Sequence, residues 1–220
     1  MTDSFPTFTA HPIFARCYAV LSPAMDRGGV IEHRRRLLAG LTGDVVEIGV
    51  GNGLNFAHYP TSVTRVVAIE PEPHLRELAR RAAVQAPVPI EVRDGVAEQL
   101  PVEDSSVDAA VACLMLCSVS DQQAALREMY RVVRPGGQLR FLEHVRAARG
   151  PLRHVQHLVD TTCWPLLFGG CHTGRDTVAA VTAAGFTLQH LERFRVPATG
   201  VPHPASPHVL GTAIRPHPAV

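Results

Sequence analysis

The sequence predicts a doubly wound, Rossmann-like α/β fold, in which helices cover both faces of a mainly parallel sheet. Short apolar runs alternate with helical patterns along the chain, which indicates βαβ units with right-handed crossovers. A glycine-rich turn follows the first run, and Glu70 ends the second. Because ligands bind at the carboxyl ends of the strands in such sheets, these two features predict one shared crevice.

Local patterns define each element of that fold. We predict strands at 45–48, 66–69, 90–92, 107–113, 138–142, 186–196 and 207–214. We predict helices at 30–40, 74–84, 121–133, 152–160 and 175–184, after one or two short helices within 1–29. Gly40 ends the first long helix, and Asp121 caps the start of a later one. Pro-Gly-Gly at 135–137 ends that later helix and turns the chain into the fifth strand.

The length of 220 residues fits a single domain. We divide it into a helical lid at 1–40, a ligand-binding core at 41–145, and a substrate cap with the last strands at 146–220. No charged region followed by an apolar core is present from Met1 to Pro12, so no signal peptide is predicted. No apolar run approaches the roughly 18 residues of a membrane span.

Composition excludes several classes of function. A net charge of +1 gives no support to nucleic-acid binding, which normally shows a basic excess. All 21 basic residues are arginine, and the lack of lysine excludes Schiff-base chemistry and a P-loop. The cysteines number five and include no C-x-x-C pair. We therefore expect neither a disulfide framework nor a metal site, and a cytoplasmic protein with reduced thiols.

The strongest chemical signal is V-V-E-I-G-V-G-N-G-L at 45–54. Gly49, Gly51 and Gly53 let the backbone turn tightly and approach a ligand where a Cβ would clash. Glu47, just before them, disfavours a pyrophosphate and suits the ammonium of an amino-acid moiety. A simple turn is the alternative interpretation of these glycines.

The ends of three further predicted strands also carry residues that could contact a ligand. Glu70 is spaced to accept hydrogen bonds from ribose hydroxyls, although a strand-end carboxylate is more often only solvated. Asp94 and Gly95 offer groups that could read the edge of adenine, or they form a type I turn. Cys113 ends a buried strand, and Leu114 follows it.

Together these motifs resemble the class I S-adenosylmethionine (SAM)-dependent methyltransferases. The resemblance rests on V-E-I-G-V-G-N-G, I-E-P, D-G-V-A-E-Q-L-P, V-D-A-A-V and A-L-R-E-M-Y-R-V-V-R-P-G-G. The resemblance covers roughly 44–145. Within that family, the motifs resemble the ubiquinone/menaquinone C-methyltransferases and small-molecule methyltransferases. The resemblance implies a seven-stranded sheet with an antiparallel last strand and an N-terminal helical lid. The implied SAM contacts are Tyr18 in the lid, Glu47, Gly49, Gly51 and Gly53 at the methionine end, Glu70 at the ribose, Asp94, Gly95 and Val96 at the adenine, Cys113 and Leu114 beneath the cofactor, and the neighbouring Asn55 and Pro71.

A narrower resemblance extends over the rest of the chain. G-V-G-N-G-L-N-F-A-H-Y-P, F-L-E-H-V, L-V-D-T-T-C-W-P-L-L-F-G-G-C and P-H-V-L-G-T-A are similar to the methyltransferase-like thiol S-methyltransferases of animal membranes. Those relatives carry an N-terminal hydrophobic anchor, which this sequence does not show. The resemblance implies a small thiol as acceptor.

The acceptor decides whether a general base is needed. Methyl transfer is an in-line displacement that depends on positioning and on excluding water. A thiol with a pKa near ~8.5 supplies its own thiolate, whereas a phenol needs a base. His144, after the fifth strand, is the first candidate base, or a hydrogen-bonded structural histidine. His157 and Asp160 share a helix face, as a base with its orienting partner or as a solvated surface.

Other residues are candidates for the acceptor pocket. Trp164 and Phe168 form either an apolar substrate wall or ordinary core packing. Cys117 faces the active site or is a buried apolar residue. The run Arg34–Arg36 is interpreted as the solvated face of a helix.

We therefore predict SAM-dependent methylation of a small apolar acceptor, with a thiol favoured and no metal. Three alternatives stay open from the sequence. The first is an O-, N- or C-methyltransferase of a natural product, quinone or phospholipid, and the second is a SAM-binding protein without catalysis. The third is a nicotinamide-binding protein, which Glu47 and Asp94-Gly95 disfavour. The sequence does not indicate an oligomeric state.

Overall fold

A computed structural model describes residues 12–199 and 201–218. The strands are β1 (Gly43–Ile48), β2 (Val63–Ile69), β3 (Ile90–Arg93), β4 (Val107–Cys113), β5 (Val133–His144), β6 (Thr187–Arg195) and β7 (Pro207–Ile214). The α-helices are α1 (Pro12–Met25), α2 (Ile31–Leu38), α3 (Pro73–Ala83), α4 (Gln122–Val132), α5 (Pro151–Asp160), α6 (Trp164–Leu167) and α7 (Thr177–Ala183). A π-helical turn, Asp26–Val30, joins α1 to α2.

The strands form one sheet in the order β3-β2-β1-β4-β5-β7-β6. Strand β7 pairs antiparallel with both β5 and β6, and the other neighbouring pairs are parallel. The chain reverses its direction of winding between β1 and β4, where doubly wound sheets form their ligand crevice. The predicted fold class, including the antiparallel last strand, is confirmed.

The central strands are apolar because both faces of the sheet are covered. Val46 of β1 packs in the cluster that contains Leu126 of α4, whereas its neighbour Val45 packs with Leu37 of α2. All four side chains are buried. This burial on both faces explains why the strands read as continuous apolar runs rather than as alternating patterns.

The fifth strand differs from the prediction at its beginning. Strand β5 follows α4 directly, and the Pro-Gly-Gly segment lies inside the strand rather than in a turn before it. Gly136 has a φ of +83°, and its N–H donates to the carbonyl of Arg215 at 2.7 Å. Backbone bonding to the extension of β7 therefore replaces the predicted turn.

Two observations concern the lid and the membrane prediction. Helix α1 and the π-helical turn correspond to the short helices predicted within 1–29, while residues 1–11 lie outside the described part. Across 12–199 and 201–218, every helix is too short or too polar to cross a membrane.

Candidate functional site

The predicted site residues lie at the carboxyl edge of the sheet, in two groups. The glycine-loop half comprises the carboxyl ends of β1, β2 and β3 with residues 12–38, the described helical part of the predicted lid. The cap half comprises the carboxyl ends of β4 and β5 with residues 145–176. A cavity of about 330 Å³ lies at the opposite edge, between Leu41 and Gly136. We assign the site to the carboxyl edge because parallel sheets bind ligands there.

The loop after β1 requires its glycines. Gly49, Gly51 and Gly53 all have positive φ, at +66°, +58° and +82°. A Cβ at Gly49 would lie 2.7 Å from the Cβ of Met115, and one at Gly51 would lie 3.1 Å from Cε1 of Tyr18. The lid tyrosine expected from the family resemblance therefore lies directly against this loop. Burial raises the pKa of the Tyr18 hydroxyl to about 12.

Glu70 lies buried beside the same loop. One carboxylate oxygen accepts from the N–H of Gly51 at 2.7 Å, and the other accepts from the N–H of Glu72 at 3.0 Å. Burial raises the pKa of this carboxyl to about 7, although both hydrogen bonds act in the opposite direction. Each oxygen keeps a second lone pair for a hydroxyl donor.

Glu47 is held within the protein. Asn55 donates its side-chain amide to Glu47 at 2.6 Å, and the Tyr59 hydroxyl donates at 2.7 Å. Burial raises the pKa of Glu47 to about 7 against these two bonds. Burial thus disfavours the charge of both acids, and a cationic ligand with hydroxyl donors would favour their ionised forms.

Arg34 is a site residue that the sequence interpretation missed. Its guanidinium is buried and pairs with Asp26 at 2.8 Å. It also donates to Oδ1 of Asn55 at 3.0 Å and contacts Sγ of Cys113 at 3.0 Å. The interpretation of 34–36 as a solvated helix face is therefore wrong for Arg34. Helical spacing offered a signal, because Arg34 shares one face with the buried Leu37 and Leu38.

The end of β3 carries the predicted adenine contacts. Asp94 is exposed at the rim and pairs with Arg76 at 3.0 Å. Gly95 has little room, since a Cβ there would lie 2.9 Å from Cδ of Pro101. Val96 is half-buried next to it, and Pro71 is half-buried at the end of β2.

The end of β4 joins the two halves. Cys113 is buried, which raises the pKa of its thiol to about 12. Leu114 has a φ of +57°, a conformation that costs a non-glycine residue about 1 kcal/mol or more. Its N–H donates to Leu142 at 2.8 Å, which holds the strained turn. Strain of this kind is typical of functional sites.

Three thiol or imidazole groups meet in the cap half. Nε2 of His144, the last residue of β5, lies 3.1 Å from Sγ of Cys171, and Cys117 is the third member. All three residues are buried. The candidate base His144 is thus paired with a thiol, and its buried Nδ1 has no hydrogen-bond partner within 12–199 and 201–218. The sequence analysis did not name Cys171 as a site residue.

The other two candidate bases have different surroundings. His157 is exposed on α5. Asp160 accepts from the N–H and the hydroxyl of Thr173 at 2.7 and 2.9 Å, and from the N–H of Gly174 at 2.8 Å. Those contacts commit both oxygens of Asp160 to the backbone turn that follows Cys171, rather than to orienting His157.

Trp164 and Phe168 form an aromatic pair beside the lid. Their rings stack with centroids 4.2 Å apart, and Phe168 is exposed. Nε1 of Trp164 is buried and has no hydrogen-bond partner in the part of the chain that the structure describes. Phe14 of α1 lies so close that a Cβ at Gly169 would be 2.5 Å from its ring. The pair therefore lies where the lid meets the cap half.

Gln156 is a second residue that the sequence did not reveal. Its buried amide accepts from the N–H of Ala147 at 2.8 Å and donates to the carbonyls of Val145, Thr173 and Pro204 at 3.1, 3.0 and 2.8 Å. One side chain thus joins the three backbone segments that enclose the cap half.

Comparisons with known proteins indicate the family and the fold. The family model described as a methyltransferase domain matches residues 46–141. Thiol S-methyltransferase TMT1A of Homo sapiens is 35% identical over 174 residues, which cover 78% of this chain and 70% of the relative. Thiol S-methyltransferase TMT1B of Homo sapiens is 32% identical over 214 residues, 92% of this chain and 86% of the relative. A SAM-dependent methyltransferase structure from Thermotoga maritima superposes with a TM-score of 0.68 at 21% identity, covering 92% of this chain and 98% of that one.

Proposed function

Since the chain belongs to the class I SAM-dependent methyltransferases, in the family of the thiol S-methyltransferases TMT1A and TMT1B, we propose that it methylates a small apolar thiol. The observation that carries this choice of acceptor is the pairing of two candidate bases, His144 and Asp160, while the third, His157, is exposed. His144 contacts Cys171, and both oxygens of Asp160 accept from backbone or hydroxyl donors. An acceptor that ionises by itself suits such a pocket better than a phenol does.

The glycine-loop half fits SAM by its charge. Bound SAM supplies an electrophilic methyl group on a sulfonium, together with an ammonium and two ribose hydroxyls. Glu70 would accept from the ribose hydroxyls, and Glu47 would complement the positive charge, directly or through water. The raised pKa values of these buried acids support the assignment, because the protein alone compensates their charge incompletely.

Other residues would position the rest of the ligand. The guanidinium of Arg34, beside Asn55, would bind the methionine carboxylate. Asp94, Gly95 and Val96 would frame the adenine at the rim. The loop of Gly49, Gly51 and Gly53 would let the backbone approach the ligand, and Tyr18 would cover that loop. Cys113 and Leu114 would lie beneath the ligand.

The acceptor would enter from the cap half. Trp164 and Phe168, stacked next to the lid, would form an apolar wall that excludes water from the transferring methyl. His144 and Cys117 would line the far side. We propose that the protein acts as a cytoplasmic enzyme on small molecules.

An assay with methyl-labelled SAM tests the proposal against a panel of alkyl thiols, aryl thiols, phenols and amines. We expect labelled thioethers from the wild type and from the exposed control Glu77→Gln. Glu70→Gln should lower kcat/KM by about 10–100-fold, the value of a lost charged hydrogen bond.

Two outcomes would contradict the thiol assignment. Transfer confined to phenols or amines would replace it with O- or N-methylation. Binding of SAM without turnover on any acceptor would favour a non-catalytic SAM-binding protein.

A further inference from the structure

The cluster of Cys117, His144 and Cys171 has a composition that the proposed transfer does not require. Cys117 follows β4, His144 ends β5, and Cys171 follows α6, so three separate segments converge. One ligand atom from each residue lies within 4.8 Å of the other two, and all three residues are buried. Within 12–199 and 201–218, this is the one group of histidine, cysteine and acidic side chains that meets this spacing.

The spacing of the cluster suits a tetrahedral metal ion. Zn–S and Zn–N bonds of about 2.3 and 2.0–2.1 Å imply ligand separations of roughly 3.5–3.8 Å in a tetrahedron. The contact of 3.1 Å between His144 and Cys171, and the limit of 4.8 Å for the whole set, bracket those values. Small side-chain adjustments would therefore complete the coordination.

Within the protein the cluster is poorly satisfied. Nε2 of His144 contacts the thiol of Cys171, and Nδ1 has no hydrogen-bond partner among the described residues. Sγ of Cys117 has long contacts of 3.7 Å to the carbonyl of Leu114 and 3.4 Å to the hydroxyl of Ser118, and its thiol also pairs with that of Cys171. Thiols are weak hydrogen-bonding groups, so an ion bound to the two sulfurs and to Nε2 of His144 would satisfy these buried groups better than their mutual contacts do.

Ligand type and ligand number indicate the metal and its role. Two thiolates with one imidazole favour Zn²⁺ among the common divalent ions. Structural zinc sites use four protein ligands, whereas catalytic sites use three and leave one position open. The sequence predicted no metal because it contains no C-x-x-C pair, but the fold brings together ligands that are far apart in the chain.

We propose that Cys117, His144 and Cys171 bind one Zn²⁺ ion whose fourth position accepts the sulfur of the acceptor thiol. The second part of this proposal rests on the proposed thiol methylation. The contact between Cys117 and Leu114 puts the site next to the turn assigned to SAM.

The chemistry of the step balances. The acceptor thiol releases its proton to water as its sulfur binds the metal, and the sulfur keeps an electron pair for attack. An S–CH₃ bond then forms as the methyl–sulfonium bond of SAM breaks, which gives a thioether and S-adenosylhomocysteine. The neutral thioether is a weaker ligand than a thiolate, so it leaves and reopens the position.

Titration with Co²⁺ tests the metal site without SAM or turnover. Chelator-treated, reduced protein should bind one Co²⁺ per chain and develop the near-ultraviolet charge-transfer band of thiolate ligation. Cys117→Ser and Cys171→Ser should weaken Co²⁺ binding, and the band should fall with it, because each variant loses one of the three ligands. The matched controls Cys17→Ser and Cys163→Ser, at exposed cysteines, should keep the band. If Cys171→Ser does not fold by circular dichroism, His144→Ala carries the same expectation.

Absence of Co²⁺ binding, or an unchanged band in the cluster variants, would overturn the metal site. Adding an alkyl thiol to the Co²⁺ protein should shift the visible spectrum, and an unchanged spectrum would overturn the open position. Because these readouts need no methyl transfer, they remain decisive even if the protein proves to methylate a different acceptor.

Discussion

The two halves of the crevice are built in different ways. In the glycine-loop half, Glu70 and Gly51 come from short motifs at neighbouring strand ends, and local backbone geometry brings them together. In the cap half, Cys117, His144 and Cys171 come from three segments that only the complete fold assembles. Local motifs thus specify the half proposed to bind SAM, whereas tertiary packing specifies the half proposed to bind the acceptor.

Arg34→Ala, in the glycine-loop half, should cause the largest loss in the free energy of unfolding. It leaves Asp26 as a buried charge without its partner, which typically costs 3–5 kcal/mol, so we expect a loss of about 4 kcal/mol in the free energy of unfolding. Urea denaturation measures this loss. The neighbouring Arg35→Ala removes only an exposed pair with Glu32 and should change the free energy by less than about 0.5 kcal/mol. Equal effects for the two variants would contradict the buried role of Arg34.

Gln156→Leu tests the assembly of the cap half. It removes the side-chain hydrogen-bond partner of four backbone groups in three segments. We therefore expect a loss of about 2–4 kcal/mol in the free energy of unfolding. Hydrogen exchange should accelerate at Ala147, whose N–H loses its acceptor, and should stay unchanged at Gly51. The exposed control Gln123→Leu should leave both rates as in the wild type. Uniform acceleration across the sheet would mean that the two halves are not separately built.

Gly49→Ala tests the glycine-loop half. The positive φ and the approach to Met115 together should cost about 2–3 kcal/mol of unfolding free energy and abolish tight SAM binding. Gly40→Ala shares the positive φ but meets nothing within 4 Å, so it should cost only about 1 kcal/mol. Calorimetry and thermal unfolding measure the two variants. Identical losses would show that contact with Met115 is irrelevant.

The pKa of Glu70 predicts a smaller effect of pH. Ribose hydroxyls need the ionised carboxylate, so affinity for S-adenosylhomocysteine should fall up to tenfold per pH unit below about 7. Stability should change in the opposite direction. The pKa of Glu70 is higher in the folded state than the unfolded value of 4.5, so the folded state binds the proton at a higher pH. The free energy of unfolding should therefore increase as the pH falls from 8 to 5.

Glu70→Gln is the control for both parts of this prediction. Its affinity should be lower than that of the wild type at pH 8 and should depend less on pH. A wild-type affinity that stays constant from pH 8 to pH 6 would contradict the assignment of Glu70 to the ribose.

The sequence predicted most of the sheet because buried parallel strands carry continuous apolar runs. The predicted bounds of β4 and β7 coincide with the observed ones, and Asp121 caps α4 by accepting from the N–H of Ala124. The start of β5 was wrong, since Pro135 and Gly136 have turn chemistry that pairing with a distant strand overrides. No local pattern reports such a pairing.

The candidate site was predicted from the sequence only in part. Glycine spacing and strand-end acids mark the glycine-loop half because they are short local motifs that follow single strands. Arg34 was missed because a charged run usually signifies solvent, although its helical spacing with Leu37 was visible. Cys171 and Gln156 could not be found, since their roles depend on partners from remote segments.

A crystal structure with S-adenosylhomocysteine bound tests the central claim, that the carboxyl ends of β1 to β4 hold SAM with its methyl directed at the cap half. The account predicts both ribose hydroxyls within about 2.7–3.2 Å of Glu70, and the ligand sulfur facing Cys117 and His144. Density for the ligand in the cavity between Leu41 and Gly136, or a sulfur turned away from the cap half, would contradict it.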